Sequence, residues 1–371
     1  MTTDKSDAFW MEQALRMADR GRFGASPNPR VGCILVCEDE AISVGWHAEV
    51  GGEHAEVAAL SALAPDDPRL SSSTAYVTLE PCNHHGRTPP CTERLIAAGI
   101  PRIVVGMEDP DPRVSGAGVA RLRASGIRVD LMESHPEGRW MNRRFLSSLE
   151  RGRPWIVLKC AVSADGFVDP ERVEGQRGSI AITDPMLRRL THSWRAEEGA
   201  IIVGAGTVSM DNPRLNVRAA EGRDPMPIVL DPSGRTSPNA LVWSHPEAAV
   251  IGGPQHLPGH VTRIGHDGTD AIGDVLAFLQ GIGCRSALVE GGPATLSGFI
   301  SSGLWDELRW CRSPNALKKG LEAPAAPSSG LSILRGTHPF GEDTVEYLVR
   351  TESADWARCA PPPTLCLPLP S

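Results

Sequence analysis

The amino-acid sequence predicts an α/β protein made of two domains. Along most of the 371 residues, short apolar runs that suit buried strands alternate with segments whose apolar positions recur at helical spacing. Such alternation is typical of a sheet that carries helices on both faces. A single core rarely serves so long a chain. We place the boundary near Glu150, where a polar, arginine-containing connection over residues 136–150 is followed by a new apolar strand.

The first predicted domain, residues 1–150, alternates regularly. A helix is predicted over residues 7–22, because apolar residues from Phe9 to Ala18 recur at roughly helical spacing and Gly21 ends the run. Beginning with a strand, strands and helices are then expected in turn on "RVGCILVCED", "GEHAEVAALSALA", "STAYVTLEPC", "PPCTERLIAAGI", "PRIVVGMED", "GAGVARLRASGI" and "RVDLM".

The second predicted domain, residues 151–350, also alternates, although no internal repeat relates it to the first. Strands are expected on "PWIVLKCAV", "GAIIVGAG", "PIVLD", "EAAVIGG" and "RSALVEGG", and helices on "DPMLRRLTHSWRAE" and "AIGDVLAFLQG". Past Gly320 the pattern weakens, and there only "DTVEYLVR" is predicted to be a strand. Residues 351–371 are proline-rich and are expected to form a loose tail.

Composition and charge disfavour two functional classes, nucleic-acid-binding proteins and membrane proteins. The net charge is −8 and no basic stripe occurs, which disfavours a nucleic-acid partner. The amino terminus lacks a basic segment followed by an apolar run, and no uninterrupted apolar run reaches about 18 residues. We therefore expect a cytoplasmic protein without a membrane partner. Nine cysteines without a secretion signal indicate reduced thiols.

The segment "GGEHAEVAAL" places His54 and Glu56 two positions apart at the start of a predicted helix. Taken alone, the pair is ordinary, because acidic residues complement the dipole in a first helical turn. Downstream, however, "TLEPCNHHGRTPPC" carries Cys82 and Cys91. One histidine and two cysteines leave a fourth tetrahedral position free, as in a hydrolytic zinc site. The hypothesis is a zinc ion held by these three residues, with Glu56 moving protons between water and a leaving amine.

This combination is the His-x-Glu plus Pro-Cys pattern of the zinc deaminases, in which the glutamate is not a ligand. Residues two apart on a helix point to different sides, so we expect His54 at the cap and Glu56 inside the first turn. The alternative is two buried cysteines and a coincidental histidine. Cys82 and Cys91 are nine positions apart, whereas the general pattern spaces its cysteines Cys-x-x-Cys.

The longer spacing is matched by the deaminase half of RibD, a family of bifunctional riboflavin-biosynthesis proteins that the first domain resembles. The matching segments are "SPNPRVGCILV", "GWHAEVGGEHAEVAAL", "TLEPCNHHGRTPPCTERLIAAGI" and "DPDPRVSGAG". Residues 81–91 match the family loop throughout, whereas Asp111 stands where the family often has asparagine. The resemblance implies a cytidine-deaminase-like three-layer domain, the zinc ligands and Glu56 as above, and contacts to a phosphoribosylated diaminopyrimidinone from Asn28, His47, His84 and Arg87. Each of these four could instead be a solvated loop residue.

Residues 152 to about 320 resemble the reductase half of the same family, which has a dihydrofolate-reductase-like α/β fold. The matching segments are "GRPWIVLKCAVSADG", "WRAEEGAIIVGAGTVSMDNPRLNVR", "PIVLD" and "ALVEGGPATLSGFISSGLWDEL". Within the last of these, a strand, a glycine turn and a helix start offer backbone N–H groups to a cofactor phosphate. A Rossmann domain is not expected, because Gly204-x-Gly206 and Gly116-x-Gly118 lack the complete fingerprint.

This second resemblance implies NADPH as the cofactor and assigns two sets of residues. Cofactor contacts would come from Ala161, Thr207, Asp211, Gly292, Pro293, Ala294, Thr295, Leu296, Ser297 and Gly298. Substrate contacts would come from Ser179, Arg195, Leu215, Arg218 and Glu290, with Lys159 a further candidate for polarising the sugar. Without the resemblance, Arg195 and Arg218 could equally be surface arginines. Where the family commonly has Trp-Ile-Thr-Gly, this chain has Ala181-Ile182-Thr183-Asp184.

The two resemblances thus imply a bifunctional enzyme of riboflavin biosynthesis. We expect a homo-oligomer that acts on a small molecule. It would hydrolytically deaminate 2,5-diamino-6-(5-phosphoribosylamino)pyrimidin-4(3H)-one with zinc, then reduce the ribosyl chain to ribityl with NADPH. One alternative is a deaminase with a degenerate reductase domain, which Ala181 suggests. Another is a nucleic-acid or cytidine deaminase with an accessory domain, which predicts a basic groove. A noncatalytic zinc scaffold is the third, and Glu56 argues against it.

Overall fold

The structure is a computed structural model that describes residues 5–84, 89–111, 115–132 and 136–356. The chain divides into two compact units between Arg151 and Gly152. Within the described ranges, none of the helices combines the length and the apolar character needed to cross a membrane.

The first unit is built on a five-stranded sheet. Its strands are β1 (Gly32–Cys37), β2 (Glu40–Trp46), β3 (Thr74–Val77), β4 (Arg102–Val105) and β5 (Arg128–Leu131). They lie in the order β2-β1-β3-β4-β5. β1 pairs antiparallel with both of its neighbours, whereas β3, β4 and β5 run parallel. The carboxyl ends of the parallel strands therefore open at one edge of the sheet, where α/β proteins place their sites.

Helices cover both faces of this sheet. They are α1 (Asp7–Asp19), α2 (Ala55–Ser61), α3 (Cys91–Ala97), α4 (Ala117–Ala124), α5 (Pro136–Met141) and α6 (Arg143–Glu150). Successive residues of a strand point to opposite faces. Ile34 and Val36 accordingly pack with α1, whereas Cys33 and Leu35 pack with residues of α2, α3 and α4. The predicted three-layer arrangement is confirmed.

The polar connection predicted over residues 136–150 consists of two helices, α5 and α6, which were not predicted from the sequence. The helical pattern of α6 is hidden in the sequence by polar residues on its buried side. Arg143 and Arg144 are buried together with the apolar Leu146. Asn142, between the two helices, forms paired hydrogen bonds with the backbone of Arg30, at 2.8 and 3.0 Å.

The second unit contains a nine-stranded sheet and a separate strand pair. The sheet strands are β6 (Trp155–Val162), β8 (Ala200–Gly204), β9 (Met226–Asp231), β10 (Ala249–Gly252), β11 (Thr262–Ile264), β12 (Ser286–Val289), β13 (Glu307–Arg312), β15 (Ser332–Phe340) and β16 (Asp343–Arg350), and the pair is β7 (Phe167–Pro170) with β14 (Gly320–Glu322). The sheet order is β11-β10-β9-β8-β12-β6-β13-β16-β15. Pairing is parallel from β11 to β13 and antiparallel at β16 and β15.

Helices again cover both faces of the sheet. They are α7 (Pro185–Glu197), α8 (Ala205–Asp211), α9 (Ala271–Gly281) and α10 (Pro293–Ser302). Ile202 and Ile228 pack with α9 and α10 on one face, whereas Ile201 and Val229 pack with α8 on the other. Both faces of the parallel strands are buried, which is why these strands are continuous apolar runs in the sequence.

The prediction of a single strand past Gly320 is wrong, since β14 and β15 precede β16. β15 is the edge strand of its sheet, and most of its residues are at least partly exposed. Exposed Ile333 and Leu334, followed by Gly336 and Pro339, interrupt the alternation that normally marks a strand.

Candidate functional sites

Three metal-ligand side chains converge in the first unit at the starts of two helices. His54 is the N-cap of α2, Cys91 is the first residue of α3, and Cys82 lies in the connection that follows β3. His54 Nδ1 is 3.5 Å from Cys82 Sγ and 3.3 Å from Cys91 Sγ. The backbone N–H of Cys91 donates to Cys82 Sγ at 3.4 Å.

These distances fit the ligands of one tetrahedral zinc ion. Typical Zn–N and Zn–S bond lengths place a nitrogen and a sulfur ligand about 3.5 Å apart at the tetrahedral angle. The three ligand atoms all lie within 4.8 Å of one another. Hydrogen bonds from Cys91, together with His54, lower the pKa of the Cys82 thiol to about 4, so the thiolate that a metal requires is favoured.

Glu56 lies beside these ligands in the first turn of α2. It is buried, with 3% of its surface exposed. Burial raises the pKa of the Glu56 carboxyl to about 7, and the nearby Cys82 sulfur acts in the same direction. A carboxyl with that pKa can both accept and donate a proton near neutral pH.

Asn28 and His47 lie next to the ligand set. The Asn28 amide donates to His47 Nε2 at 3.1 Å, and His47 Nδ1 donates to the Glu53 carbonyl at 2.9 Å. Burial lowers the pKa of His47, which keeps the ring neutral. The ring centroids of His47 and His54 are 5.6 Å apart. The structure thus brings together two of the residues predicted to contact the substrate.

Two further residues, His84 and Arg87, are predicted to contact the substrate at this site. His84 is exposed, two residues beyond Cys82. Arg87 lies outside the described residues, as do Pro112 of the "DPDP" loop and residues 357–371 of the predicted tail. The prediction of a loose tail is wrong for residues 351–356, which form a short 3-10 helix in which Ser353 is buried.

Sequence reasoning missed Glu80, a buried carboxylate two residues before Cys82. It accepts hydrogen bonds from four backbone N–H groups, those of Asp109 (3.2 Å), Gly116 (3.0 Å), Gly118 (2.8 Å) and Val119 (3.1 Å). A Cβ on Gly118 would lie 2.1 Å from the Pro81 carbonyl oxygen, so only glycine fits there. Glu80 therefore ties the segment that bears Cys82 to the start of α4.

In the second unit, Arg195 and Glu290 form a bidentate ion pair. Arg195 Nε donates to Glu290 Oε1 at 2.8 Å, and Nη2 donates to Oε2 at 2.7 Å. Their side chains are only 13% and 10% exposed. Although burial acts against it, the Arg195 guanidinium keeps the pKa of Glu290 below its usual value. Arg195 is therefore not a surface arginine, and much of its donor capacity is taken by Glu290.

His192, which sequence reasoning also missed, lies beside this pair. Burial lowers its pKa to about 4, and the charges of Arg195 and Arg218 act in the same direction. Its Nδ1 accepts the backbone N–H of Arg218 at 3.4 Å. Arg218 itself is exposed, whereas Leu215 is buried with a φ of 58°. The charge of Lys159, on β6, helps to lower the pKa of Glu290, so it lies near the pair.

Some of the residues predicted to bind the cofactor meet where α8 and α10 begin. Gly292 is the N-cap of α10, and no side chain caps that helix. A Cβ on Gly204 would lie 2.5 Å from Thr295 Oγ1, and one on Gly292 would lie 3.9 Å from Thr207 Oγ1. Asp211 is four residues from Thr207, so both lie on one face of α8. The remaining predicted residues of this set are Pro293, Ala294, Leu296, Ser297 and Gly298 in α10, and Ala161 on β6.

One of the two departures from the family pattern at residues 181–184, Asp184, has a local structural role. Asp184 is the N-cap of α7, and its side chain accepts the N–H of Met186 at 2.7 Å. Pro185 follows at the first helical position, where its fixed φ suits a helix start. Ala181 is exposed, as is Ser179.

Two family models match the chain, one for each unit. Residues 4–107 match the model described as the cytidine and deoxycytidylate deaminase zinc-binding region. Residues 154–319 match the model described as the RibD C-terminal domain.

Whole-length relatives show the same combination. The chain is 39% identical over 368 residues to the riboflavin biosynthesis protein RibD of Actinobacillus pleuropneumoniae, covering 93% of this chain and 96% of that protein. It is 36% identical over 331 residues to the Escherichia coli protein of that name, covering 81% and 86%.

Solved structures of similar length share the fold. Acinetobacter baumannii RibD has a TM-score of 0.82 at 33% identity, covering 93% of this chain and 99% of that one. A Thermotoga maritima protein, described as a diaminohydroxyphosphoribosylaminopyrimidine deaminase/5-amino-6-(5-phosphoribosylamino)uracil reductase, has a TM-score of 0.83 at 32% identity. The match covers 93% of this chain and 98% of that one.

Proposed function

Because this chain belongs to the RibD family of bifunctional deaminase-reductases of riboflavin biosynthesis, we propose that it performs two consecutive reactions on one pyrimidine intermediate. The first unit hydrolytically deaminates 2,5-diamino-6-(5-phosphoribosylamino)pyrimidin-4(3H)-one. The second unit then reduces the ribosyl chain to ribityl with NADPH. The convergence of His54, Cys82 and Cys91 around the buried Glu56 carries the first proposal.

In the deamination, His54 Nδ1 and the sulfurs of Cys82 and Cys91 would hold zinc, and zinc bound there would lower the pKa of a water toward neutral pH. Glu56 accepts a proton at its carboxylate and returns it to the amino group that leaves as ammonia. Burial supports this role, because it raises the pKa of Glu56 toward neutrality.

Recognition of the deaminase substrate would fall to residues beside the ligand set. The chain of hydrogen bonds from Asn28 through His47 to the Glu53 carbonyl orients the amide and the imidazole. His84 and Arg87 are proposed to meet the ribose phosphate, for which an arginine suits the charge and geometry. This set favours a phosphoribosyl pyrimidine over a base within a polynucleotide.

In the reduction, the uncapped N–H groups at the start of the ten-residue helix α10 are proposed to bind a phosphate of NADPH. The hydroxyls of Thr207 and Thr295 lie close to the same turn. Asp211, on the same face of α8 as Thr207, would contact the cofactor next to them.

The reductase substrate is proposed to lie against the Arg195–Glu290 pair. Exposed Arg218 would bind the ribose phosphate, whereas buried Arg195 would orient Glu290 toward the substrate. Lys159 would polarise the sugar as hydride arrives. Ser179 and Leu215 complete the proposed contacts.

A coupled assay tests both halves. With the phosphoribosyl diaminopyrimidinone as substrate, we expect ammonia to be released and NADPH to be oxidised in equal amounts. Ammonia release without NADPH oxidation would instead establish a deaminase with a degenerate reductase unit, as Ala181 suggests. Absence of both activities in zinc-loaded enzyme would refute the proposed function.

The proposal includes a homo-oligomer. Exposed Ile333 and Leu334 on the edge strand β15 support it, because an apolar sheet edge is a common pairing surface. Light scattering of the purified protein tests this, and a monomer at micromolar concentration would contradict it.

A further inference from the structure

Arg172 joins separate segments of the second unit. Its Nε donates to Asp169 Oδ2 at 2.6 Å, and Nη2 donates to Asp169 Oδ1 at 2.8 Å. Its Nη1 donates to the Gly178 carbonyl at 2.8 Å, and Nη2 reaches Asp211 Oδ1 at 3.3 Å. The Arg172 side chain is largely buried, with 9% of its surface exposed. Such a network exceeds what a solvated surface arginine would form.

The partners of Arg172 lie in different elements. Asp169 belongs to β7, Gly178 to the connection between β7 and α7, and Asp211 is the last residue of α8. A second bond strengthens the junction, because the Gly178 N–H donates to the Met210 carbonyl at 2.8 Å. Gly178 has a φ of 105°, a conformation that residues with side chains rarely adopt. Both backbone polar groups of Gly178 are thus used to hold the connection against the end of α8.

We propose that Arg172 is a positioning residue of the reductase site, which fixes Ser179 next to Asp211. This inference rests on the proposed function, in which Ser179 contacts the substrate and Asp211 contacts NADPH. Ser179 follows Gly178 directly, so the bond from Arg172 to the Gly178 carbonyl sets the position from which the serine projects. The same guanidinium holds the Asp211 carboxylate. One side chain therefore links the binding of substrate to the binding of cofactor.

The chemistry of arginine is needed for this link. A guanidinium presents five N–H donors in a rigid planar fork, whereas a lysine ammonium is a single point on a flexible stem. Lysine at position 172 could pair with Asp169 but could not also reach Gly178 and Asp211. The connection that Arg172 orders includes Ala181, where the family commonly has an aromatic residue.

The test compares Arg172→Ala and Arg172→Lys with Arg177→Ala, which removes an exposed arginine from the same connection. Steady-state kinetics would give kcat and the KM values for NADPH and for the deaminated intermediate. Loss of hydrogen bonds to a charged group leads us to expect both KM values to rise about tenfold in both Arg172 variants, with a smaller change in kcat. Arg177→Ala should match the wild type. The deaminase rate of each variant is an internal control and should not change.

If the KM values of the Arg172 variants stay within about twofold of the wild type, the positioning role of Arg172 is wrong, while the proposed reductase function stands. A twofold change in KM corresponds to only about 0.4 kcal/mol of binding free energy. If Arg172→Ala does not fold, Arg172→Lys decides the question by the same criterion. A wild-type enzyme that releases ammonia but neither binds nor oxidises NADPH would overturn the proposed reductase function and this inference together. The two failures are therefore distinguishable.

Discussion

At the scale of single residues, burial and hydrogen bonding give neighbouring side chains of the deaminase site different chemical properties. Burial raises the pKa of Glu56 to about 7, whereas hydrogen bonds from Cys91 lower the pKa of Cys82 to about 4. Burial also keeps His47 uncharged. The site thus holds a thiolate ligand, a neutral imidazole and a carboxyl able to move a proton within one small volume.

Replacement of a ligand should remove the metal. In Cys91→Ser the sulfur that lies 3.3 Å from His54 Nδ1 is lost, and a serine hydroxyl is a far weaker zinc ligand. We expect the zinc content, measured by mass spectrometry after desalting, to fall from one ion per chain to nearly none, with loss of ammonia release. Cys284→Ser, at a half-buried cysteine of the second unit, should retain zinc. Full zinc occupancy in Cys91→Ser would argue against this ligand set.

The Arg195–Glu290 pair should contribute to the stability of the second unit. Glu290→Ala leaves a largely buried guanidinium without its partner, which should lower the free energy of unfolding of the second unit by about 3 kcal/mol. Replacing both residues, as in Arg195→Met/Glu290→Leu, should cost less, because no charge is then left unpaired. Urea denaturation followed by tryptophan fluorescence measures both. A single variant as stable as the double one would contradict the structural role of the pair.

At the scale of elements, the proposed chemistry lies at junctions where one element ends and another begins. His54 caps α2, Cys91 begins α3 and Gly292 caps α10. Helix starts were predictable from the sequence, because glycine and proline mark them locally. Contacts between distant segments were not. Glu80 bonds to residues 29 to 39 positions away, and nothing in "TLEPC" indicates that distance.

The elements that the sequence did not reveal share a physical cause. The buried side of α6 includes Arg143 and Arg144, α5 is short and buries Gly138, and the edge strand β15 is mostly exposed, so none of the three shows the usual apolar period. His192 was not predicted either, because a histidine within an amphipathic helix gives no local signal of a site. Only the folded structure shows that Arg195 and Arg218 lie near it.

Glu80 should be needed for efficient deamination, because it joins the segment that bears Cys82 to the start of α4. Glu80→Gln would turn an amide NH2 toward backbone N–H groups that now donate to a carboxylate, leaving donors of α4 unsatisfied. We expect kcat/KM for deamination to fall about tenfold while NADPH oxidation is unchanged. Glu108→Gln, which changes an exposed carboxylate that accepts a hydrogen bond from Ser115 Oγ at 2.9 Å, should have little effect. Equal deaminase activity in the two variants would contradict the positioning role of Glu80.

At the scale of the whole molecule, each proposed reaction has its residues within one compact unit. The proposed zinc ligands and Glu56 lie before the division at Arg151, and the proposed reductase residues, from Lys159 to Gly298, lie after it. The zinc site should therefore serve deamination alone.

Removal of the metal tests this separation. Dialysis against a strong chelator should abolish ammonia release from the diaminopyrimidinone, yet leave NADPH oxidation with the deaminated intermediate within about twofold of the untreated rate. Readdition of zinc should restore deamination. If chelation abolished both activities and zinc restored both, the metal would be needed for reduction as well as for deamination, which would contradict this separation.

The most direct test of the central claim is the substitution of Glu56 by glutamine, which keeps the size of the side chain and removes its ability to exchange a proton. Zinc content, ammonia release and NADPH oxidation would be measured on the same purified protein. We expect one zinc ion per chain, no detectable ammonia from the diaminopyrimidinone, and normal NADPH oxidation when the deaminated intermediate is supplied. A Glu56→Gln enzyme that releases ammonia at the wild-type rate would contradict the assignment of proton transfer to this carboxylate.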